Sequence, residues 1–353
     1  MSTRLQQLGH FTLIYSGALV CGALGYLVNL PLPWMIGAMV FAAAMRLSEQ
    51  PVHVLPMTRP IGQVIVAASV GLSFTPAAVA ALSMMFIPMI SAAILTIAAG
   101  FLVAAVLMRM ARVDVITAAL SAIPMGPVES AHLAKQHGVF AGPIVFSQTL
   151  RIVLLIVFIP PVLVYFSDTI EHPTTVLRNV HWSAAGALLL ALVGFLGAIA
   201  AKTLRLGNPF FIGALGGAAA ASAFSVPMTA FPYPALVLAQ IFLGVWLGAV
   251  FDRQLLRNAR GFISGALVSA VLLVIICAAI GFGLSWITSQ PWQVMILATA
   301  PGSVTEMALT AKVLQEGIAV VTAFHLVRIF IILPFAPLII NLTARVAKAW
   351  GLL

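Results

Sequence analysis

Residues 262–286 read FISGALVSAVLLVIICAAIGFGLSW, an apolar run without a charged side chain. A helix needs about 20 apolar residues to cross roughly 30 Å of hydrocarbon, and this run is long enough. Other long apolar runs lie at residues 87–108, 182–201 and 318–342. They lack the alternation of polar and apolar residues that a membrane β-barrel requires. The sequence therefore predicts an all-α polytopic membrane protein.

The composition of the whole chain supports the same class. Hydrophobic residues make up 62% of the chain and charged residues 7%, whereas about a quarter of the residues in a soluble domain are charged. The formal net charge is +9, but the basic residues are scattered between apolar segments and form no patch for nucleic acid. We expect membrane lipid as a partner and no nucleic acid, with the basic loops in the cytoplasm.

Residue types that support redox, metal or enzyme chemistry are few. Cys21 and Cys277 lie inside predicted spans, so neither a disulfide framework nor a metal cluster is indicated. The seven histidines show no metal-ligand spacing. We therefore predict no catalytic residue, no metal, no cofactor and no enzymatic activity. The apolar stretch at 11–28 resembles a signal peptide in outline, but without a clear cleavage site it is better explained as an uncleaved first span.

Rare polar and helix-breaking residues recur at a spacing of 177 positions. The pairs are Gln63 and Gln240, Gly71 and Gly248, Pro124 and Pro301, Glu129 and Glu306, Lys135 and Lys312, Arg151 and Arg328, and Pro160 and Pro337. This register indicates an internal duplication. We predict a first membrane repeat at residues 1–170, a polar linker at 171–181 and a second membrane repeat at 182–353.

Each repeat contains six apolar segments. The segments lie at about 11–29, 32–47, 60–75, 80–108, 114–134 and 140–166, and again at about 182–201, 208–225, 234–251, 262–286, 292–312 and 318–342. In the first repeat the basic residues follow segments two and four, whereas in the second they follow segments one and three. If basic loops stay in the cytoplasm, the two repeats have opposite orientations in the membrane.

An inverted repeat needs an odd number of crossings in each half. We therefore expect about five transmembrane helices and one broken or re-entrant element per repeat, which gives ten crossings with both termini in the cytoplasm. The alternative is a parallel repeat of twelve full spans, which would place Lys202 and Arg205 on the wrong side of the membrane.

The fifth segment of each repeat is the candidate for the broken element. Residues 121–129 read SAIPMGPVE and residues 299–306 read TAPGSVTE. Proline and glycine interrupt backbone hydrogen bonds that lipid cannot replace, so such breaks survive only beside protein or a watery cavity. Paired breaks hold substrate and ions in transporters built from inverted repeats. The predicted binding residues here are Pro124, Gly126, Pro301, Gly302, Ser303 and Thr305, although a proline kink without a function is the alternative.

Two acidic residues follow the breaks. Glu129 and Glu306 each lie five residues after the first proline of their motif. A charge at the bilayer centre costs roughly 2.5 to 3.5 kcal/mol on insertion scales, so it normally faces a cavity or a partner. We predict that the two glutamates bind a coupling cation. A buried structural ion pair, or a carboxylate that stabilises the start of a half-helix, would also explain them.

Two arginines lie in the sixth segments. Arg151 and Arg328 follow Gln148 and His325 by one helical turn, so each pair shares a helix face. Their partner would be an anionic substrate or the glutamates, and snorkelling to the headgroups or a plain salt bridge are the alternatives. Lys135 and Lys312 are expected to cap the ends of the fifth segments.

Gln63 and Gln240 open the third segments beside small residues. We include both in the predicted binding site. Close helix packing at Gly244 and Gly248 with an amide hydrogen bond is the alternative explanation.

Several motifs of this sequence are similar to those of a known family. The chain resembles the AbrB family of bacterial membrane proteins, which carry an internal duplication. The resemblance rests on the motifs LPWMIGA at 32–38, RPIGQ at 59–63 and GLSFTP at 71–76, and on the two proline motifs, each followed by an arginine segment. The family pattern of Pro-Gly-Gly followed by Glu-Met is nearly kept at 301–307, PGSVTEM. The first copy departs from it at 124–130, PMGPVES, so we expect the second copy to matter more for the site.

The resemblance implies a protein of the bacterial inner membrane. Family members have been labelled as ammonia monooxygenases and as regulators of gene expression. The first label fits this sequence badly, because an oxygenase needs clustered copper or iron ligands. Regulation would have to be indirect, since we find no DNA-binding segment, and the family name is shared with an unrelated soluble DNA-binding family.

Our leading expectation is a secondary transporter of a small anionic or zwitterionic solute, coupled to H⁺ or Na⁺. Its partners would be that solute and the coupling cation. A membrane-embedded sensor that affects gene expression through another protein is the alternative. The sequence leaves the oligomeric state open, with a homodimer as one option.

Overall fold

The computed structural model describes residues 2–166, 178, 180–251, 253, 260–315 and 317–349. These residues form fifteen α-helices and no strand. Most of the predicted linker at 171–181 lies outside the described residues. The first eight helices are α1 (Ser2–Leu27), α2 (Pro33–Leu47), α3 (Thr58–Gly71), α4 (Pro76–Ser83), α5 (Phe86–Ala111), α6 (Val115–Ala122), α7 (Pro127–Gln136) and α8 (Ala141–Tyr165). The remaining helices are α9 (Ala184–Thr203), α10 (Pro209–Ala223), α11 (Tyr233–Gly248), α12 (Arg260–Thr288), α13 (Trp292–Thr299), α14 (Val304–Leu314) and α15 (Ile318–Ala349).

Five of the described helices are long and apolar enough to cross a membrane by themselves: α1, α5, α8, α9 and α12. Two bent pairs would raise the number of spans to seven, namely α3 with α4, at an angle of 85°, and the two parts of α15 on either side of residue 333, at 54°. The prediction of a polytopic α-helical membrane protein is confirmed. Ten crossings and the inverted orientation stay predictions.

Proline positions explain why one expected long segment is divided. The apolar run from residue 80 to 108 was expected to be one helix, but α4 ends at Ser83 and α5 begins at Phe86. Pro76 is the first residue of α4, and Pro88 lies in the first turn of α5. Proline is tolerated in the first turn, where its missing N–H has no intrahelical partner, but it disrupts a helix interior. The break before Phe86 therefore places Pro88 in a first turn, where it is tolerated, and not in the interior of one long helix that starts at Pro76.

Contacts between Cα atoms divide the chain into two compact units. Unit 1 contains Met1–Ser83, Ile159–Arg253 and Ala308–Ala319, and unit 2 contains Met84–Phe158, Gln254–Met307 and Val320–Leu353. Each unit therefore takes helices from both predicted repeats. The repeats remain a prediction about the sequence, whereas the units describe how the helices pack.

Glycines allow the helices of unit 1 to touch backbone against backbone. Gly244 and Gly248 of α11 lie against the main chain of Met35 and Met39 in α2, where an added Cβ would collide with carbonyl oxygens. Such small residues are typical of membrane helix interfaces, because they permit close approach and dispersion contacts. The close packing expected at these two glycines is present.

In unit 2 the two long helices α5 and α12 pack together and against the broken elements. Gly100 of α5 faces the first break, where a Cβ would lie 3.0 Å from the Cα atom of Ile123. Gly281 of α12 faces α13, where a Cβ would lie 2.5 Å from Oγ1 of Thr299. A glycine on a long helix thus lets the chain approach closely at or just before each break.

Candidate functional site

The first predicted break separates α6 from α7. Helix α6 ends at Ala122, and Ile123 has an extended backbone with φ −60° and ψ 131°. Gly126 is also extended, with φ −71° and ψ 151°, and Pro127 starts α7. Asp114 fixes the other end of α6, since its carboxylate accepts a hydrogen bond of 2.8 Å from the backbone N–H of Thr117. The helix is therefore interrupted at the motif that the sequence singled out.

The second break has the same form. Helix α13 ends at Thr299, and Ala300 has φ −51° and ψ 134°. Helix α14 then begins at Val304 after the motif Pro301-Gly302-Ser303. Each break leaves carbonyl groups at the end of one half-helix and N–H groups at the start of the next, and these groups need partners.

The two arginines supply partners for the carbonyls. Arg328 donates from Nη1 to the carbonyl oxygen of Ala300 at 2.7 Å and from Nη2 to that of Gly302 at 2.6 Å. Arg151 donates from Nη1 to the carbonyl oxygen of Ala122 at 3.0 Å. A cation at a helix C-terminus is favoured by the helix dipole. Each arginine therefore stabilises the broken end of the half-helix that precedes it.

Both arginines are buried, at 3% and 4% relative exposure, so their guanidinium groups do not reach a lipid headgroup as snorkelling would require. They lie close enough to repel each other electrostatically. Unit 2 therefore contains a buried centre of positive charge beside the two breaks.

The residues one turn before the arginines contribute to the same arrangement. Gln148 donates from Nε2 to the carbonyl oxygens of Leu120 at 2.6 Å and Ile123 at 3.0 Å, and its Oε1 accepts from Arg151. His325 donates from Nδ1 to the carbonyl oxygen of Ala298 at 3.1 Å. These polar side chains hold α8 and α15 against the broken helices. Each pair shares a helix face, as the spacing predicted, and the side chains on that face donate hydrogen bonds to main-chain carbonyl oxygens.

Both glutamates lie in the first turn of a half-helix. Glu129 is in the first turn of α7, and its carboxylate folds back against Gly126, where an added Cβ would collide with Oε2. Glu306 is in the first turn of α14 and is 8% exposed. Negative charge is favoured at this end of a helix. The position fits a carboxylate that stabilises a helix start, which is one of the two alternatives that the sequence left open.

Ser303 and Thr305 belong to the start of α14. The Oγ atom of Ser303 accepts a hydrogen bond of 3.3 Å from the backbone N–H of Thr305, and the carbonyl oxygen of Ser303 accepts one of 3.2 Å from the N–H of Met307. The order Ser-Val-Thr-Glu at 303–306 also has the spacing of a capping box. In the first copy Gly126 takes the place of Ser303, so its half-helix has no side-chain cap.

Polar atoms without a hydrogen-bond partner lie near the first break. They include Nε of Arg151 and the Oγ atoms of Ser121 and Ser269, within the part of the chain that the structure describes. All three side chains line one narrow crevice, together with Ala122 and Leu273, and this crevice has no room for a water-sized molecule. Buried polar groups normally have partners, so such a group calls for an explanation. An N–H and two hydroxyl groups lie along this crevice, so a hydrogen-bond-accepting group would find donors there if the surrounding helices moved apart.

The structure divides the predicted site residues between the units. Unit 2 contains ten of them: Pro124, Gly126, Glu129, Arg151, Pro301, Gly302, Ser303, Thr305, Glu306 and Arg328. Gln63 and Gln240 lie in unit 1. Gln240 is 1% exposed, and its amide makes no hydrogen bond with the described residues. The amide hydrogen bond expected for it is therefore not found there.

Lys312 was expected to cap the end of its own helix, but it donates a hydrogen bond to another helix. Its Nζ atom donates to the carbonyl oxygen of Ser69 in α3 at 3.1 Å, within unit 1. The ammonium group therefore links two helices. Lys135, its counterpart in the first repeat, is exposed in the last turn of α7, and its capping role stays a prediction.

Sequence reasoning missed Ser121 and Ser269. Serine is common in membrane helices, where its hydroxyl usually bonds to a carbonyl one turn earlier in the same helix. The adjacency of Ser121 to the break was a usable signal, but nothing in the sequence marks Ser269. Among the described residues, no group of three His, Cys, Asp or Glu side chains is placed to hold a metal ion.

Comparison with known proteins gives one family for most of the chain. A family model described as "Transition state regulatory protein AbrB" matches residues 34–344. A Bacillus subtilis (strain 168) protein named "Uncharacterized protein YhjN" is 24% identical over 344 residues, which cover 88% of this chain and 87% of the relative. An Escherichia coli (strain K12) protein named "Putative regulator AbrB" is 24% identical over 322 residues, covering 90% of this chain and 92% of the relative.

Proposed function

The chain belongs to the AbrB family, and we propose that it is a secondary transporter of a small anionic or zwitterionic solute, coupled to H⁺ or Na⁺. It is an integral membrane protein with several apolar helices. We place it in the bacterial inner membrane with both termini in the cytoplasm, because the basic loops then lie on the cytoplasmic side. We assign it no enzymatic activity.

The observation that carries this proposal is the buried set of donors beside the first break. Arg151, Ser121 and Ser269 line one narrow crevice, and each has a buried polar atom without a hydrogen-bond partner among the described residues. No acidic side chain in the described part of the chain lines that crevice. An unpaired buried charge is costly, so a guanidinium there favours an anion or a carboxylate of a solute. The second arginine nearby strengthens the positive potential.

The breaks provide the irregular backbone that transport sites use. In transporters with inverted repeats, half-helix ends and unwound segments contact the solute and ions. Here both breaks lie in unit 2, and each is held in place by its own arginine. Arg151 would therefore have two roles, because its Nη1 holds the break and its Nε would donate to a solute in a conformation in which the crevice is open.

Coupling would involve Glu129 and Glu306. A carboxylate inside a membrane protein either faces a cavity or pairs with a cation. Proton or sodium binding at the start of α7 and α14 would change the charge next to each break. Cation binding at the glutamates would then alter the affinity for solute beside Arg151. Such a dependence of solute affinity on the bound cation is the requirement for coupled transport.

The names of the family and of one relative favour a second candidate. The family description and the Escherichia coli relative both contain a reference to regulation. A membrane-embedded sensor would bind the same anionic solute and pass the signal to another protein. The two candidates differ in whether solute crosses the membrane.

A flux screen separates the candidates. The purified protein would be reconstituted into liposomes and offered small carboxylates, phosphates and amino acids, each with an imposed H⁺ or Na⁺ gradient. We expect gradient-driven uptake of at least one class, and we expect Ser269→Ala and Ser121→Ala to raise its KM. Ser264→Ala is the matched control, since Ser264 is exposed on the same helix α12 and donates to the carbonyl oxygen of Gly261. Solute binding without flux for every class would favour the sensor.

A further inference from the structure

An open apolar groove lies on unit 2, apart from the two breaks. It has a volume of about 440 Å³ and is formed by α5, α6 and α15. Phe101, Ala105 and Met108 of α5, Ala118 of α6, and Ile339 and Leu342 of α15 line it. The small side chains of Ala105 and Ala118 make the groove concave. Since these helices belong to a membrane protein, hydrocarbon is the natural material to fill such a surface.

Arginines lie close in sequence to the residues that line one end of this groove. Ala105 and Met108 of α5 line the groove, and Arg109 and Arg112 follow them in the last turn and at the C-terminal cap of that helix. Arg112 ends α5 in a left-handed conformation with φ 51°, and both Arg112 and Arg109 are exposed. Arg345 of α15 is also exposed and lies two residues after Thr343, which lines the groove.

The acidic residue at this end is engaged elsewhere. Asp114 accepts hydrogen bonds from the backbone N–H of Thr117 at 2.8 Å and from its Oγ1 at 2.5 Å, at the start of α6. Its carboxylate therefore stabilises a helix N-terminus. The guanidinium groups of Arg109, Arg112 and Arg345 make no ion pair with the described residues, which leaves three cations for a ligand.

We propose that this groove is a binding site for one anionic phospholipid. An acyl chain lies along the apolar wall, and the phosphate contacts Arg109, Arg112 and Arg345. Guanidinium groups bind phosphate oxygens through parallel hydrogen bonds, which suits a phosphodiester. Basic pockets between membrane helices on the cytoplasmic side commonly bind anionic lipid headgroups. The loop after α5 is on that side in the predicted topology.

A second copy of the chain fits this groove less well. In a two-fold membrane dimer the same surface meets itself at the same depth. The three arginines of one copy would then face those of the other at one level, and like charges would repel. An anionic lipid has the opposite charge at the headgroup and an apolar tail, and it complements both parts of the groove.

Native mass spectrometry of the purified full chain tests the site. Dioleoyl phosphatidylglycerol would be titrated against dioleoyl phosphatidylcholine, which has the same acyl chains and no net charge. We expect one phosphatidylglycerol to be retained in preference to phosphatidylcholine. Each of Arg112→Gln and Arg109→Gln should weaken its binding about fivefold, since a basic residue near anionic lipid contributes about 1 kcal/mol. Lys202→Gln, at the exposed end of α9, is the matched control and should have no effect.

Filling the groove is the complementary test. Ala105→Phe should abolish the retained lipid, whereas Leu102→Phe, on the exposed face of the same helix, should leave it bound. Equal retention of the two lipids, or unchanged phosphatidylglycerol binding in Ala105→Phe, would overturn the proposal. If Ala105→Phe instead converted a dimer into a monomer and left lipid binding intact, the groove would be a protein interface and the lipid site would be wrong. These readouts do not depend on transport.

Discussion

Replacement of Arg328 by lysine tests whether the arginines hold the broken helices together. Arg328 donates to the carbonyl oxygens of Ala300 and Gly302 at 2.7 Å and 2.6 Å from two different nitrogens. Lysine keeps the positive charge but has one nitrogen on a flexible chain in place of a planar fork. We therefore expect Arg328→Lys to lose the equivalent of one of the two hydrogen bonds while the burial of charge stays the same.

The size of the effect follows from the chemistry of that bond. A hydrogen bond that involves a charged group contributes about 1.5 to 3 kcal/mol, and a carbonyl left buried without a partner incurs a similar cost. The expected loss in the free energy of unfolding is therefore about 1.5 to 3 kcal/mol. Replacement of the exposed Arg345 by lysine should change it by less than about 0.5 kcal/mol, as for most surface substitutions.

The assay is reversible unfolding in mixed micelles, in which sodium dodecyl sulfate is titrated against a mild detergent and helicity is followed by circular dichroism. Wild type, Arg328→Lys and Arg345→Lys would be compared under the same conditions. If Arg328→Lys were as stable as the control, the two carbonyls would not depend on the guanidinium. The assignment of Arg328 as a stabiliser of the break would then be refuted.

Three other predictions address the glutamate, the helix packing and the topology. Gly126→Ala should displace the Glu129 carboxylate, because the new Cβ would collide with Oε2, and so change the pH or Na⁺ dependence of uptake. Gly283→Ala on α12 is the control, because an added Cβ there would have no atom within 4 Å, and identical uptake profiles for the two variants would contradict the placement of Glu129. Gly197→Ala should lower the free energy of unfolding by about 1 to 3 kcal/mol through overpacking, since its Cβ would meet the backbone of Gly213. Gly216→Ala on α10 is the control, and equal stabilities of the two variants would disprove the contact between Gly197 and Gly213. In a background with Cys21→Ala and Cys277→Ala, single cysteines in the 48–56 and 223–233 loops should react with impermeant maleimide from opposite sides of the membrane, and same-side labelling would rule out the inverted repeat.

Part of the fold was predictable because membrane-spanning helices can be recognised from the length and hydropathy of their sequence. The run at 262–286 falls inside α12, and the breaks at Pro124 and Pro301 fall between helices as expected. Proline and glycine carry a local signal, since their effect on the backbone does not depend on the rest of the protein. The division of the chain into units could not be predicted in the same way, because each unit combines helices from both repeats.

The partners of the buried arginines were beyond sequence reasoning for a physical reason. We expected a substrate, a glutamate or a lipid headgroup, but Arg151 and Arg328 donate to main-chain carbonyls at the breaks. Every residue has a carbonyl, so no residue type marks this partner. Ser269 was missed because a lone serine in an apolar run looks like any other until the fold places it beside Ser121.

In the transport cycle that we propose, a solute crosses the membrane through this protein under the control of Glu129 and Glu306. Counterflow tests this directly: liposomes that contain the purified chain are preloaded with an unlabelled anion from the screen, and the entry of the labelled anion is measured. We predict that the labelled anion accumulates transiently above its equilibrium level in liposomes with the wild type. For Glu129→Gln combined with Glu306→Gln, we predict the loss of gradient-driven uptake. Absence of counterflow for every solute that binds, or unchanged driven uptake in the double variant, would contradict the account.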